Sequence, residues 1–136
     1  MGGPRSVLAC ARANAVVRAV DLARAKRFYG ETLGLELRDV PGRPGEVQVL
    51  AGEDTLVCIY ERPSMPAPEN TTLCFEVPDV SAAVHDLRGR GVLFEEYDVP
   101  QMGLVTHDGV AHFGNEIRAW FKDSEGNTVV LRQQPL

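Results

Sequence analysis

The sequence has no long apolar run. No hydrophobic segment approaches the roughly 18 residues that a helix needs to cross a bilayer. The first 14 residues contain Arg5 and Arg12 but no apolar core followed by a cleavage site, so they do not read as a secretory signal. We therefore expect a cytoplasmic protein that makes no contact with a membrane.

Positive charge is also scarce. The chain has 14 basic against 19 acidic residues, a net charge of -5, and only Lys26 and Lys122 are lysines. These charges are scattered, so no basic face is available for nucleic acid. An anionic membrane surface would repel such a chain. We expect neither nucleic acid nor a membrane as a partner.

Cysteine is rare and carries no recognisable pattern. The three cysteines are Cys10, Cys58 and Cys74, an odd number without the spacing of a metal site. Such a set is typical of reduced thiols, which agrees with a cytoplasmic location.

What the sequence does contain is an internal repeat. Residues 15–25 return 58 residues later as residues 73–83. In each copy a strand-like stretch leads to an aspartate, Asp21 or Asp79, which can cap the helix that follows. A duplication in so short a chain predicts two half-units that share one core, with a cleft where their sheets meet.

The two halves have the same predicted order, β-α-β-β-β, and the fold class is α+β. We predict a single domain over residues 1–136, in which repeat one covers about 7–62, a proline-rich linker 62–70, and repeat two about 71–134. The first predicted strand begins at Val7 or at Asn14 and ends at Val20. The other predicted strands lie at 35–40, 47–50, 55–61, 71–77, 92–99, 116–122 and 128–132, with helices ending near Gly34 and Gly91.

One asymmetry separates the halves: a connection over residues 100–115 that holds His107 and His112. Connections of this length in a compact domain are usually functional or disordered. The spacing of the two histidines also leaves open a metal site within the connection, on weak evidence.

Two motifs carry a family resemblance. They are Asp21-Leu22 … Ala25 … Phe28-Tyr29 … Leu33-Gly34-Leu35 and Trp120-Phe121-Lys122-Asp123-Ser124-Glu125-Gly126-Asn127. The chain resembles, over nearly its whole length, the vicinal oxygen chelate superfamily of glyoxalases, bleomycin-resistance proteins and extradiol dioxygenases, and within it a metal-independent bacterial subgroup. The resemblance implies paired β-α-β-β-β units whose sheets curl around a cup. It does not fix the function, because the superfamily hosts isomerases, lyases, dioxygenases and drug binders.

In metal-dependent members of that superfamily, the first and last strands of each half supply the ligands. The matching positions here are Asn14, Cys58, Thr72 and Val130. A catalytic divalent ion needs about three imidazole or carboxylate ligands. We therefore predict no metal and no cofactor, which argues against glyoxalase I and extradiol dioxygenase chemistry.

Strand alternation predicts which side chains face the cup. The residues expected to contact a ligand are Asn14, Cys58, Tyr60, Thr72, Glu76, Met102, His112 and Trp120. Arg18 and Glu76 occupy equivalent positions in the two repeats. They either form a structural ion pair across the pseudo-twofold axis, or Arg18 orients an anionic or phenolic oxygen of a substrate.

His107 is the best candidate for chemistry. Its ordinary pKa suits proton transfer near neutral pH, and Asp108 beside it could orient the ring. The catalytic set predicted from the sequence is therefore His107, Asp108 and Arg18. The simpler alternative is that His107 is an exposed loop histidine.

Two functions fit the sequence. The first is a metal-independent acid–base enzyme, a dehydratase, cyclase or isomerase that acts on an aromatic or polyketide-like molecule. The second is a non-catalytic protein that sequesters an antibiotic, as the bleomycin-resistance branch does. The loop histidine favours the enzyme. Both functions imply a small aromatic ligand, and exposed sheet edges together with the resemblance favour a homodimer.

Overall fold

The computed structural model describes residues 6–64 and 66–133. The first half forms β1, α1, β2, β3 and β4, and α1 continues into a π-helical turn over Arg27–Thr32. The bounds are β1 Ala15–Ala19, α1 Leu22–Lys26, β2 Glu36–Val40, β3 Arg43–Leu50 and β4 Leu56–Glu61. The second half comprises β5 Thr71–Glu76, α2 Val80–Gly89, β6 Asp98–Val99, β7 Leu104–His107, β8 Val110–Phe113, β9 Glu116–Lys122 and β10 Thr128–Gln133.

The strands make one sheet from each half. The first sheet has the order β1-β4-β3-β2 and the second the order β5-β10-β9-β8-β7-β6. The β1–β4 and β5–β10 pairs are parallel, and the remaining pairs are antiparallel. In the described part of the chain β1 and β5 are terminal strands of their sheets, so each has one open edge at the seam between the halves.

The two aspartates cap their helices as predicted. The side chains of Asp21 and Asp79 accept hydrogen bonds from the backbone N–H groups of Arg24 and Ala82, each at 3.1 Å. The π-helical turn follows because the N–H of Leu33 donates to the carbonyl of Phe28 at 2.8 Å, five residues back. Gly34, with φ of +74°, then ends the helix.

One hydrophobic core serves both halves. It lies between the sheets and the two helices, and its apolar side chains include Val17, Tyr29, Val49 and Ile59 of the first half and Val84, Phe121 and Val129 of the second. The α+β fold predicted from the repeat is confirmed. No helix in the described residues is long and apolar enough to cross a membrane.

The turn at residues 123–127 joins the two halves. The carboxylate of Glu125 accepts from the backbone N–H groups of Val20 and Asp21 at 2.9 and 2.8 Å. The hydroxyl of Tyr29 donates to the Asp123 carboxylate at 2.7 Å, and burial of that hydroxyl next to the negative charge raises the pKa of Tyr29. This stretch was predicted only as a turn, and the structure makes it a clamp on the start of α1.

The prediction that residues 100–115 form a long loop was wrong. It contains a short helical turn, Pro100–Met102, followed by the hairpin β7–β8. Asp108 and Gly109 at its tip both have positive φ, 56° and 81°. The Asp-Gly pair is a strong signal for such a two-residue turn, and it was present in the sequence.

The strand predicted over 92–99 is also corrected. Only Asp98–Val99 is a strand, while Phe94 makes an isolated bridge to Phe121 and the Glu95 N–H donates to the Trp120 carbonyl at 2.8 Å. This segment therefore contacts β9 at one end and β7 at the other. The second sheet curls back on itself as a result.

Candidate functional site

A cleft of about 560 Å³ lies at the seam between the sheets. Three parts of the chain form its walls. They are the start of β1, the turn that leads into β4 together with the first residues of β4, and the open edge of β5. The described lining residues are Ala13, Ala15, Ala51, Gly52, Glu53, Thr55, Leu56, Val57, Leu73, Cys74, Phe75 and Glu76. Most of these side chains are small or apolar, and the charged ones, Glu53 and Glu76, are both carboxylates. The volume and the lining are typical of a site for a small organic molecule.

The cleft has this shape because both of its edges lack a strand partner. Ala13 and Ala15 leave space at the beginning of β1, where larger side chains would fill the seam. Leu73 and Phe75 alternate with Cys74 and Glu76 along β5, so apolar side chains point to the core and polar ones to the concave face. The seam therefore presents an apolar floor with a polar rim.

Trp120 lies opposite Val130 in the β9–β10 pair, on the concave face of the second sheet. Its ring contacts Tyr97 and Phe113 edge-on, with centroid distances of 5.5 and 6.1 Å, and Leu104 and Val130 complete the cluster. These neighbours bury Trp120. The indole packs against the protein's own side chains, and the cluster closes that part of the concave face.

A row of charged side chains crosses the same face. The guanidinium of Arg132 donates to Glu76 at 2.6 Å, and that of Arg118 donates to Glu116 at 2.8 Å. The hydrogen bond from Arg118 holds the pKa of Glu116 below its ordinary value. Desolvation of the nearby thiol raises the pKa of Cys74, so little of this cysteine is thiolate at neutral pH.

The expected ion pair between Arg18 and Glu76 does not form. Arg18 is only 6% exposed and donates to the backbone carbonyls of Pro66 and Glu125 at 3.2 and 2.8 Å. Glu76 binds Arg132 and lines the cleft together with Ala15. Equivalent positions of the repeat therefore lie at opposite ends of the seam, which keeps the two side chains apart. Arg18 holds the halves together and does not line the cleft.

His107, Asp108 and His112 lie on the β7–β8 hairpin, and all three are exposed. His107 pairs with Val110 and His112 with Ile117, whose side chains pack against the main core. Both histidines therefore belong to the face of the second sheet opposite Trp120. The side chain of Asp108 is 97% exposed, and its carbonyl accepts from Arg88 on α2 at 3.0 Å.

The other predicted ligand contacts are dispersed. Cys58 and Tyr60 are half-buried on the concave face of β4, and the guanidinium of Arg62 stacks over the Tyr60 ring at 4.5 Å. Thr72 donates weakly to the Asn70 carbonyl at 3.4 Å. Asn14 and Met102 are exposed. Of the residues predicted to contact a ligand, Glu76 lines the cleft directly.

The four positions at which relatives bind metal do not fit an ion here. Val130 is buried and has no donor atom, and Thr72 and Asn14 offer only a hydroxyl and an amide. Across residues 6–64 and 66–133, no three histidine, cysteine or acidic side chains gather as a metal would require.

Sequence reasoning missed the residues that form the floor of the cleft. These residues carry no reactive group, so residue type alone does not mark them as functional. They are Ala13, Ala15, Leu73 and Phe75. The signal that could have found them is the repeat itself, because these residues lie in or just before the first strand of each copy, where the seam must lie.

Comparison with known proteins gives the family. A family model described as Glyoxalase/Bleomycin resistance protein/Dioxygenase superfamily matches residues 12–131. No curated protein is similar enough in sequence to count as a match.

Among solved structures, TnmS3, an antibiotic binding protein from Streptomyces sp. CB03234, is 27% identical with a TM-score of 0.66, over 91% of this chain and 98% of that one. A glyoxalase/bleomycin resistance protein from the same strain is 29% identical with a TM-score of 0.61, over 89% and 100%. A glyoxalase family protein from Bacillus anthracis is 19% identical with a TM-score of 0.67, over 91% and 96%, and shows the fold alone.

The fold, the cleft at the seam of a duplicated unit and the extent of the family match agree. The resemblance to the vicinal oxygen chelate proteins is confirmed, and the chain belongs to the Glyoxalase/Bleomycin resistance protein/Dioxygenase superfamily.

Proposed function

We propose that this protein binds a small, largely apolar aromatic molecule in the cleft at the seam and holds it without converting it. The observation that carries the proposal is the apolar floor of the cleft, formed by Ala13, Ala15, Leu73 and Phe75. Within this cleft of about 560 Å³, the apolar floor gains affinity from the ligand surface that it buries. TnmS3, at 27% identity, is named as an antibiotic binding protein, which supports sequestration of an antibiotic.

The positions of the reactive groups also support binding over catalysis. A general acid or base must lie within hydrogen-bond reach of the reacting atom. His107 and His112 belong to the other face of the second sheet, and the described cleft lining contains no histidine. Glu76 does line the cleft, but Arg132 occupies one of its oxygens.

The test is native mass spectrometry of the protein with a panel of small aromatic antibiotics. We expect a stoichiometric complex from which the ligand is recovered intact. Ala13→Trp fills the cleft and should weaken binding about tenfold or more, since excluding two methylene-sized groups of the ligand costs about 1.6 kcal/mol. Ala23→Trp, at an exposed position on α1, is the matched control and should bind like the wild type.

Two outcomes would contradict this proposal. Equal binding by the Ala13 and Ala23 variants would place the ligand elsewhere. Recovery of a chemically changed ligand would favour the acid–base enzyme, which stays a prediction, and loss of that turnover in His107→Ala would assign the chemistry to His107.

We also propose that the protein is a homodimer. Val16, the second residue of β1, is 62% exposed on the concave face, and Val7 and Leu8 are exposed in the turn before the strand. Apolar side chains next to an open strand edge favour association with a second copy.

A further inference from the structure

We propose that the ligand is an elongated amine whose apolar end passes Phe75 and enters a second pocket on the helical side of the second sheet. This inference rests on the proposed function of the cleft and names the class of molecule that it binds. It depends on three features: the second pocket, an apolar track along β5 that leads to it, and the charges at the mouth of the cleft.

The second pocket has a volume of about 180 Å³ and lies between α2, the second sheet and the segment that follows α1. Its described lining is almost entirely apolar: Leu33, Leu35, Phe75, Val77, Ala83, Asp86, Leu87, Phe121 and Leu131. Asp86 is the charged member, and it is paired with Arg90 at 3.3 Å. A pocket of this kind suits an uncharged aliphatic or aromatic group.

An apolar track on β5 connects the two spaces. Leu73, Phe75 and Val77 are alternate residues of the same strand, so their side chains share the face that packs towards the core. Leu73 lines the cleft, Val77 lines the second pocket, and Phe75 lines both. Among the described lining residues, Phe75 is the one that the two spaces share.

β5, which carries the track, has a strand partner on one side only, and Leu73 on it is buried. Its partner is β10, with Phe75 opposite Leu131, and its other edge faces the seam. Phe75 is half-buried, so its ring separates the two spaces without being enclosed in the core. Four residues of an extended strand span about 13 Å, which sets the length of a molecule that could fill both spaces.

The charges that line the cleft indicate the chemistry of the ligand's polar end. Glu53 and Glu76 are its charged lining residues, and neither arginine nor lysine appears in the described lining. Arg132 is paired with Glu76, so Glu53 is the cleft carboxylate that an ammonium or another hydrogen-bond donor complements, whereas a ligand carboxylate would meet a charge of its own sign. The ligand therefore carries an amine at the cleft end and an apolar group at the other.

The experiment uses ω-phenylalkylamines from 2-phenylethylamine to 6-phenylhexylamine, titrated against the full chain with ligand-observed NMR. Each added methylene that enters the second pocket should tighten binding about threefold to fourfold, until the pocket is full. The matching ω-phenylalkanoic acids should bind more weakly at each length. Equal affinity along the amine series would overturn the second pocket, and equal affinity of acids and amines would overturn the amine end.

Variants on α2 test whether the dependence of affinity on chain length arises in the second pocket. Ala83→Leu fills the second pocket, so the dependence on chain length should disappear while 2-phenylethylamine still binds. Ala82→Leu, at the exposed neighbouring position, should retain the wild-type series. Leu87→Ala enlarges the pocket and should move the optimum to a longer chain, which provides a second test if the Ala83 variant folds poorly. An unchanged optimum in both pocket variants would contradict the proposal.

The two proposals fail in different ways. If no member of the series binds and the antibiotic panel also fails, the cleft is not a ligand site and the proposed function falls. If the shortest amine binds and Ala13→Trp abolishes that binding, the cleft is supported. A flat chain-length series would then remove only the second pocket.

Discussion

At the scale of single residues, Glu125 shows how a side chain in a turn can control stability. Its carboxylate is 1% exposed and binds the Arg24 guanidinium at 2.8 Å in addition to the N–H groups of Val20 and Asp21. Burial alone would raise the pKa of Glu125, but hydrogen bonds from Arg24, the Asp21 N–H and Ser124 outweigh it and lower the pKa to about 2. The folded state therefore favours the charged carboxylate.

The pH dependence follows from this lowered pKa. The ordinary value is 4.5, so the stabilisation from Glu125 is complete above that pH and is lost as the pH falls towards 2. Between pH 7 and pH 3 the difference in unfolding free energy between the wild type and Glu125→Gln should shrink by about 2 kcal/mol. Urea denaturation at the two pH values measures it, with the exposed Glu31→Gln as control. A constant difference would show that Glu125 titrates normally.

The sequence could predict the turn around Glu125 but not its partners. Asp, Ser, Gly and Asn in succession favour a turn wherever they occur. That Glu125 would bind the residues before α1 depends on how the halves meet, which local pattern does not encode. Likewise, His107 was predicted as a catalyst from its residue type, whereas its face of the sheet follows from the pairing of β7 with β8.

At the scale of elements, the β7–β8 hairpin is held from both sides. The Glu96 carboxylate accepts from the Thr106 hydroxyl at 2.6 Å and from the Gly109 N–H at 3.1 Å, and these bonds lower the pKa of Glu96. Arg88 on α2 donates to the Asp108 carbonyl and stacks over Phe94 at 5.7 Å. The hairpin tip is therefore fixed against α2.

Gly109→Ala should destabilise the protein more than Gly114→Ala. Both glycines have positive φ, 81° and 56°, so alanine is strained by about 1–2 kcal/mol at either position. A Cβ at Gly109 would also lie 3.0 Å from the Arg88 guanidinium and 3.1 Å from the Phe94 Cβ, whereas at Gly114 nothing lies within 4 Å. We expect an additional loss of about 1–2 kcal/mol in the Gly109 variant. Thermal unfolding of the pair would contradict this if the two variants melted together.

Prediction of the elements succeeded where alternation and capping residues agree. β2 and β4 begin and end within a residue of the predicted ranges, and both helices start after the predicted aspartates. It failed over residues 92–99, where alternation also favoured a strand. There the side chain of Glu96 binds the hairpin, and such a contact cannot be read from strand periodicity.

At the scale of the whole molecule, the repeat predicted the location of the cleft. Its error concerned the orientation of the halves, because the pairing of Arg18 with Glu76 assumed that equivalent residues face each other. Glu76 instead lies near the start of β1, beside Ala15 in the lining of the cleft. A repeat specifies two similar units, but their relative orientation depends on packing.

The proposed homodimer can be tested by a substitution on the exposed apolar part of β1. Val16→Asp places a charge on the exposed apolar part of β1 and should convert a dimer into a monomer, because burying an unpaired carboxylate is costly. Leu93→Asp, at an even more exposed apolar residue after α2, should leave the dimer intact. Size-exclusion chromatography with light scattering at micromolar concentration measures the molar mass of both variants and of the wild type. A monomeric wild type would refute the dimer.

The turn at residues 123–127 has a consequence for synthesis on the ribosome. Val20, Asp21 and Tyr29 find their hydrogen-bond partners 105, 104 and 94 positions later in the chain. The emerging first half can collapse. The N–H groups of Val20 and Asp21 and the hydroxyl of Tyr29, however, have no native partner until Asp123 and Glu125 have been synthesised. Because residues inside the ribosomal exit tunnel cannot pack against residues that have emerged, the first half completes these contacts only after residues 123–127 have left the tunnel. Until that turn emerges, the first half would be exposed to misfolding, which chaperones counter.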